Sequence, residues 1–387
     1  MASAIDEARE VRDQLKDWLL DYAYPLWAQR GRDGGFHEKI GQDGRPVDGP
    51  RRARVATRQT WAHAVAGELG WSGDWREVVE YGLRALTERY LRPDGLFRVL
   101  VGPDGKPLDD EPAPYEQAFA MLALSAAQKA LGGDHEAMAV RTRQALKAMH
   151  GRPDGGFFDH LPHEAPLRAN PHMHLFEAAQ AWTAVGADAG WREMADGIGK
   201  IAVGRMIDGH TGALCELFDE AWRPVEGADV EPGHQFEWGW LLLRFGARDE
   251  ALRLIELGEE HGVDRKRGVA FNSLSADLKP RDESARLWPQ TERLKAGVAA
   301  ALETGDERYW SMAADAGRGL QKYLATDVPG LWRDRMNPDG SFVEEPAPAS
   351  SFYHIVGAIL DLDAGLNTSS RTAPQLGSRL SASLRPG

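Results

Sequence analysis

Cysteine is nearly absent from this sequence. One residue, Cys215, in a chain of 387 excludes an intramolecular disulfide and any thiolate metal cluster. Long apolar runs are absent too: none approaches the roughly 18 residues a membrane-spanning helix needs. Cations are outnumbered, with 46 Lys and Arg against 59 Asp and Glu. The resulting charge of −13 repels phosphate backbones and anionic membranes, so neither nucleic acid nor a lipid surface is expected as a partner. The opening Met-Ala-Ser-Ala-Ile-Asp-Glu-Ala-Arg-Glu is acidic and does not read as a secretory signal, which points to the cytoplasm. What is plentiful is aromatic and apolar. Hydrophobic residues make up 42%, enough for a large core, and the 13 tryptophans supply packing and flat walls of the kind that suit a sugar ring.

A turn recurs along the chain. Asp33-Gly-Gly-Phe36, Asp94-Gly-Leu-Phe97 and Asp154-Gly-Gly-Phe157 are followed by degenerate versions at Asp208, Arg267 and Asp339. Asp-Gly before an aromatic is a tight-turn or hairpin signal, because glycine supplies the positive φ that such turns need. Between the turns, apolar residues fall at helical spacing, for example Leu15, Trp18, Leu19, Tyr22 and Leu26. The pattern predicts twelve helices, two per repeat, over roughly 4–30, 56–70, 74–91, 114–131, 135–150, 172–185, 189–206, 234–246, 248–261, 287–302, 306–323 and 349–364. Six helical hairpins, each with a turn signature, fit an all-α fold: a closed (α/α)6 barrel with short β-hairpin loops. No linker divides the chain, so residues 1–366 are expected to form one domain. The stretch 367–387, rich in Ser, Arg, Pro and Gly, reads as a disordered tail.

Polar residues gather where inner helices would begin. In Glu231-Pro-Gly-His-Gln-Phe-Glu-Trp-Gly-Trp240, Pro232 and Gly233 mark a start, and His234 and Glu237 are three apart on one face. A histidine titrates near neutral pH, and a carboxylate in reach can set its tautomer. Arg58 is assigned to a first helical turn, an awkward place for a cation unless it meets an anion or a polarised oxygen. Tyr115 and Gln117 could donate to sugar hydroxyls or simply pack. His172 and His174 suggest a metal pair, but two residues apart on a helix they face different ways, and no third ligand stands nearby. Asn170 and His174, four apart, can share a face. Trp288 before Pro289 falls at a rim, and Tyr353-His354 opens the last helix.

Taken together, Arg58, Asn170-x-x-x-His174, His234-x-x-Glu237, Trp288-Pro-Gln-x-Glu292 and Tyr353-His354 resemble, in order, the motifs of the N-acylglucosamine 2-epimerase superfamily. The resemblance runs almost to residue 365. The ending Ser-Ser-Phe-Tyr-His-Ile is most similar to the D-mannose isomerase branch. Cellobiose epimerases usually carry a tryptophan shortly before the last histidine, where this chain has Pro346-Ala-Pro-Ala-Ser-Ser351.

The resemblance implies an (α/α)6 barrel and a cofactor-independent, metal-independent isomerase of a monosaccharide, acting as a monomer or homodimer. The expected reaction is D-mannose to D-fructose, with D-lyxose and D-xylulose as a further pair, by proton transfer through a cis-enediol. It implies His354 as the base between C2 and C1, and His234, oriented by Glu237, as the acid at the ring oxygen or a second base. Arg58 would stabilise the enediolate. Asn170, His174, Tyr115 and Gln117 would hold hydroxyls, with Trp288 and Trp238 as walls. Alternatives are a 2-epimerase of glucose or mannose, N-acylglucosamine or cellobiose, a sulfosugar isomerase needing an extra cation at the mouth, and a non-catalytic sugar-binding protein. An (α/α)6 glycoside hydrolase would need two carboxylates set across a bond, and Asp159, Glu177 and Asp282 are not paired by any motif.

Overall fold

A computed structural model describes residues 3–29 and 35–372. Twelve helical units run through the described residues. The first, α1, is Ala4–Trp18 continued by a π-helical turn and Tyr24–Trp27, and α2 is Ala53–Ala64 extended by Ala66–Leu69. Then come α3 Trp75–Ala85, α4 Pro114–Leu131, α5 Glu136–His150, α6 Ala169–Val185 and α7 Gly190–Ile201. The chain goes on through α8 Pro232–Phe245, α9 Arg248–His261, α10 Trp288–Thr304, α11 Glu307–Leu324 and α12 Phe352–Thr372.

The even-numbered helices form the inner ring. Each packs on the next, from α2 through α4, α6, α8 and α10 to α12, and α12 returns to α2. Their burial explains the placement. In α4 the consecutive residues Gln117, Ala118, Phe119, Ala120, Met121 and Leu122 are all buried, as an inner-ring helix requires. The outer helix α3 buries one stripe, Val78, Val79, Gly82 and Ala85. Each outer helix follows its inner partner, except at the seam: there α1, from the start of the chain, packs on α11 and α12. The architecture is an (α/α)6 barrel.

The recurring turns sit at one end of the ring. Gly95, Gly155 and Gly340 have φ of +88°, +94° and +88°. The preceding Asp94, Asp154 and Asp339 carboxylates accept backbone N–H bonds two residues on. Asp33 and Gly34 of the first turn lie outside the described residues, as does 373–387 of the tail; α12 runs past the expected boundary at residue 366 to Thr372. Short antiparallel ladders then tie each unit to a neighbour: Leu167–Arg168 with Leu217–Phe218, Ala285–Arg286 with Arg335–Met336, and, across the seam, Lys39–Ile40 with Ala347–Pro348.

A repeated clamp anchors these turns to the inner helices. Gln117, Gln235 and Gln290 each accept from a loop N–H and donate to the same residue's carbonyl, at Phe97, Leu214 and Ala270. Each also donates to the carbonyl four residues back. In α6 the corresponding work falls to His172, whose Nδ1–H donates to Arg168 O while Nε2 accepts from Phe157 N. Burial lowers the pKa of His172 to about 4, so it is a neutral structural ring. No helix among the described residues is long and apolar enough to cross a membrane.

Candidate active site

The inner helices present their N-terminal ends to one mouth, and a polar cavity of about 160 Å³ opens there. It is lined by Arg58 from α2, Tyr115 from α4, Asn170 and His174 from α6, His234 and Glu237 from α8, Trp288 from α10 and His354 from α12. Residues far apart along the chain converge because each falls in the first turns of an inner helix, and the ring brings those turns together. Glu231, Arg286, Ser350 and Ser351 complete the lining.

Two of the expected residues lie elsewhere. Gln117 is fully buried, with both N–H donors spent on the Phe97 and Ala113 carbonyls and Oε1 accepting from Phe97 N, and it does not line the cavity. Trp238 is fully buried against Phe176, with ring centroids 5.9 Å apart, and does not line the cavity. Helix α2 begins at Ala53, so Arg58 stands in its second turn rather than its first, and the helix dipole has little hold on it. Its guanidinium donates to the Tyr115 hydroxyl at 2.7 Å and to Ser350 O at 3.1 Å, and lies 4.1 Å from the Phe119 ring centroid. These contacts fix a buried cation at the cavity wall without neutralising it.

Trp288 stands between two imidazoles. Its ring centroid is 4.9 Å from that of His234 and 5.9 Å from that of His354. Their surroundings differ sharply. His234 Nδ1 is 2.8 Å from Glu216 Oε1 and 3.6 Å from Glu231 Oε2. Burial works against the charged ring, but Glu216 and Glu231 outweigh it and raise the pKa to about 10. His234 is therefore an imidazolium. Its partner is Glu216, at the edge of the loop ladder, and not Glu237, whose carboxyl lies 3.8 Å from His174. His354 sits at the other extreme. Burial, with Arg58 and Lys295 nearby, holds its pKa well below the ordinary value, so the ring is neutral. Its Nδ1 lies 2.8 Å from Glu292 Oε1, and Glu292 in turn accepts from Lys295 Nζ at 2.7 Å.

Below them is a closed acidic floor. Glu177 accepts from Tyr353 Oη and contacts His174 Nδ1 at 3.3 Å. Burial opposes the Glu177 charge, but those hydrogen bonds and the Lys295 ammonium keep it ionised, with a pKa of about 2. Burial lowers the pKa of His174 to about 4 and raises that of Glu237 well above the carboxylate range, with Glu292 adding to the latter. Both Glu237 oxygens, and Asn170 Oδ1, are buried without a hydrogen-bond partner. Three groups bring metal-ligand atoms within 4.8 Å of one another: His174, Glu177 and Glu237; Glu216, Glu231 and His234; Glu237, Glu292 and His354. In each the acidic side chains already face a cation, His234 in the second and Lys295 in the other two.

This arrangement has relatives. A family model described as N-acylglucosamine 2-epimerase (GlcNAc 2-epimerase) matches residues 34–358. The chain belongs to that family. It is an enzyme of the sugar isomerases and epimerases. Over 371 residues it is 45% identical to a protein of Rhizobium meliloti named mannose-6-phosphate isomerase, covering 90% of this chain and 96% of the relative. It is 27% identical over 347 residues to a D-mannose isomerase of Pseudomonas cannabina, covering 78% and 81%. Among solved structures, a D-mannose isomerase superposes with a TM-score of 0.85 at 20% identity, over 92% of this chain and 98% of that one. A cellobiose 2-epimerase from Spirochaeta thermophila gives 0.83 at 24% identity, over 94% and 98%. Those two likenesses bear on the family fold.

Proposed function

We propose that this family member is an aldose–ketose isomerase that interconverts D-mannose and D-fructose, with D-lyxose and D-xylulose as a further pair. The observation that carries the proposal is the pair of imidazoles flanking Trp288 in one small polar cavity, His234 set against Glu216 and Glu231 and His354 buried near Arg58 and Lys295, surroundings that favour a charged acid and a neutral base. The cavity suits one sugar ring better than two.

In this reading the His234 imidazolium protonates the ring oxygen as the C1–O5 bond breaks and the C1=O1 carbonyl forms. The ring nitrogen it has bared takes up the proton that O1–H gives up, so the sugar opens with His234 charged again. His354 Nε2 then removes the C2 proton; the C2–H electrons form a C1=C2 bond and the carbonyl π pair moves to O1. Arg58 faces the enediolate as that charge grows. His354 returns the same proton to C1 while the O2–H proton passes to O1, leaving a carbonyl at C2. Atoms and charge balance, and no external oxidant or reductant is involved. Asn170, His174 and Tyr115 hold hydroxyls.

A 2-epimerase would use the same pair, with His234 delivering a proton to the opposite face of C2. Glu216 beside His234, with Glu231 behind it (a carboxyl that burial pushes up to about 7), makes it a reluctant donor to carbon, and the isomerase asks it to act only at oxygen. The name of the Rhizobium meliloti relative favours a second reading, a phosphorylated hexose. Against it, the cations and carboxylates at the mouth are close to balanced: Arg286 already lies 3.5 Å from Asp334, and Glu216 and Glu231 are near. Mannose and mannose 6-phosphate, each incubated in heavy water and followed by NMR, test all three. Fructose from mannose supports the proposal. Glucose without fructose replaces it with epimerisation, and turnover of the phosphate alone moves the substrate class.

A further inference from the structure

Lys295 lies between two cavities. The sugar-sized cavity is above it, on the far side of Glu292. Behind it, toward the C-terminal ends of the inner helices, is a larger cavity of about 630 Å³, which Lys295 itself lines together with Glu177, Trp240, Tyr353 and Asp361. The ammonium sits 2.7 Å from Glu292 Oε2 and 3.7 Å from the Trp240 ring centroid. A lysine this deeply buried needs a reason, because its charge is costly away from water.

We propose that Lys295 is a positioning residue for the reaction. By holding Glu292 as a carboxylate, it keeps the His354 proton on Nδ1 and the lone pair of Nε2 toward the sugar. The inference rests on the reading of His354 as the base. Its geometry is a chain of contacts, Lys295 Nζ to Glu292 Oε2 at 2.7 Å and Glu292 Oε1 to His354 Nδ1 at 2.8 Å. Burial pushes the Glu292 carboxyl upward and leaves it above its ordinary value, and the Lys295 ammonium is the largest of the groups that limit the rise. Glu177 adds to the upward push and His174 opposes it. The same ammonium faces Glu237, Glu177 and Asp361. His354 in its turn feels Arg58, His174 and Glu177.

Without the ammonium, Glu292 takes up a proton and becomes a hydrogen-bond donor. The imidazole then accepts that bond at Nδ1 and carries its own proton on Nε2, where no lone pair is left for C2. An enzyme held in the wrong tautomer loses roughly 10²–10⁴-fold in turnover, the range for a misplaced general base and for loss of the group that orients one.

The test uses the full chain. Lys295→Met is expected to lower kcat by about 10²-fold or more with KM for mannose changed less than about threefold, and to move the acid limb of kcat to higher pH. In Lys295→Ala, ethylammonium can reach the vacated site through the rear cavity, so kcat recovers saturably without competition with mannose; ethanol does not replace it. Wild-type kcat and an unmoved acid limb in Lys295→Met overturn the proposal, and so does a loss that amine cannot restore. Histidine-labelled ¹⁵N NMR of the wild-type enzyme supplies a readout independent of any variant. The His354 resonances are expected to report Nδ1–H with Nε2 bare, and the reverse tautomer overturns the inference even if the variants do not fold. Wild-type enzyme that is inactive on mannose, or active after His354→Ala, defeats the reading of His354 instead.

Discussion

At the scale of single residues, the site rests on two histidines whose surroundings separate their protonation states. The direction of each shift sets a pH profile. Activity needs His354 neutral and His234 charged, so kcat/KM should hold across neutral pH. It should fall on the acid side only below the ordinary histidine range, and on the alkaline side as pH rises through about 10. Replacing Glu216 with Gln removes the carboxylate 2.8 Å from His234 and should bring the alkaline limb down toward neutrality. At pH 9 the variant would lose most of its kcat/KM, while near pH 6 it would differ little from wild type. An alkaline limb that stays in place would mean that His234 is not the acid. The same ion pair is linked to stability. The folded pKa of His234 lies above its unfolded value near 6.5, so the pair's contribution is complete below 6.5 and is lost as pH climbs through about 10.

At the scale of the element, the clamp on each turn makes a sharper prediction. His172 does in α6 what glutamine does in α4, α8 and α10: it accepts from the loop N–H and donates to the carbonyl four residues back. His172→Gln should therefore fold and keep the kcat of wild type. It should also gain acid tolerance. The pKa of buried His172 is lowered to about 4, so from about 6.5 downward the unfolded chain binds a proton that the native ring refuses, and stability drains away until about pH 4. Glutamine has no such proton to bind. Urea unfolding at pH 7 and pH 4.5 measures the difference, and an unchanged pH dependence would dissociate His172 from acid sensitivity. This element also marks what the sequence could reveal. Helix spacing and turn signals located the twelve helical units, because an inner helix still has a start, a stop and a punctuating glycine. The spacing of His234 and Glu237 suggested a pair, yet the real partner is Glu216, brought in by a loop that the ladder of Leu167–Arg168 with Leu217–Phe218 and the Glu216 backbone bonds to Ala169 and Asp229 hold in place. Gln117 looked available for a ligand because nothing in the sequence shows that the Phe97 turn folds back onto it. Lys295 carries no motif signal in the sequence, and only closure of the ring buries it against Glu292.

At the scale of the whole molecule, the barrel depends on a seam joining its two ends. Helix α1 packs on α11 and α12, bringing Val11 and Leu15 against Gly317 of α11. A glycine inside a helix ordinarily costs about 0.5–1 kcal/mol relative to alanine, so Gly→Ala there should stabilise. At Gly317 the sign should reverse. A Cβ built on it would stand 2.3 Å from Val11 Cγ1, closer than two carbons can approach, and a β-branched side chain in a helix has little freedom to swing aside. The cost falls on the contact that closes the ring, so α1 must shift off α11 and loosen the packing of Leu15, Leu19 and Tyr24 beneath it. Gly317→Ala is expected to lower Tm by several degrees, about 1–3 kcal/mol, although the substitution favours the helix itself. Val11→Ala removes the obstructing methyl groups, so the double variant should recover part of that loss, a coupling that two independent helices would not show. Thermal unfolding of the two single variants and the pair measures it. Equal Tm values for wild type and Gly317→Ala would mean that α1 has room to move, and that the ring is closed by the inner helices and the Lys39–Ile40 ladder alone.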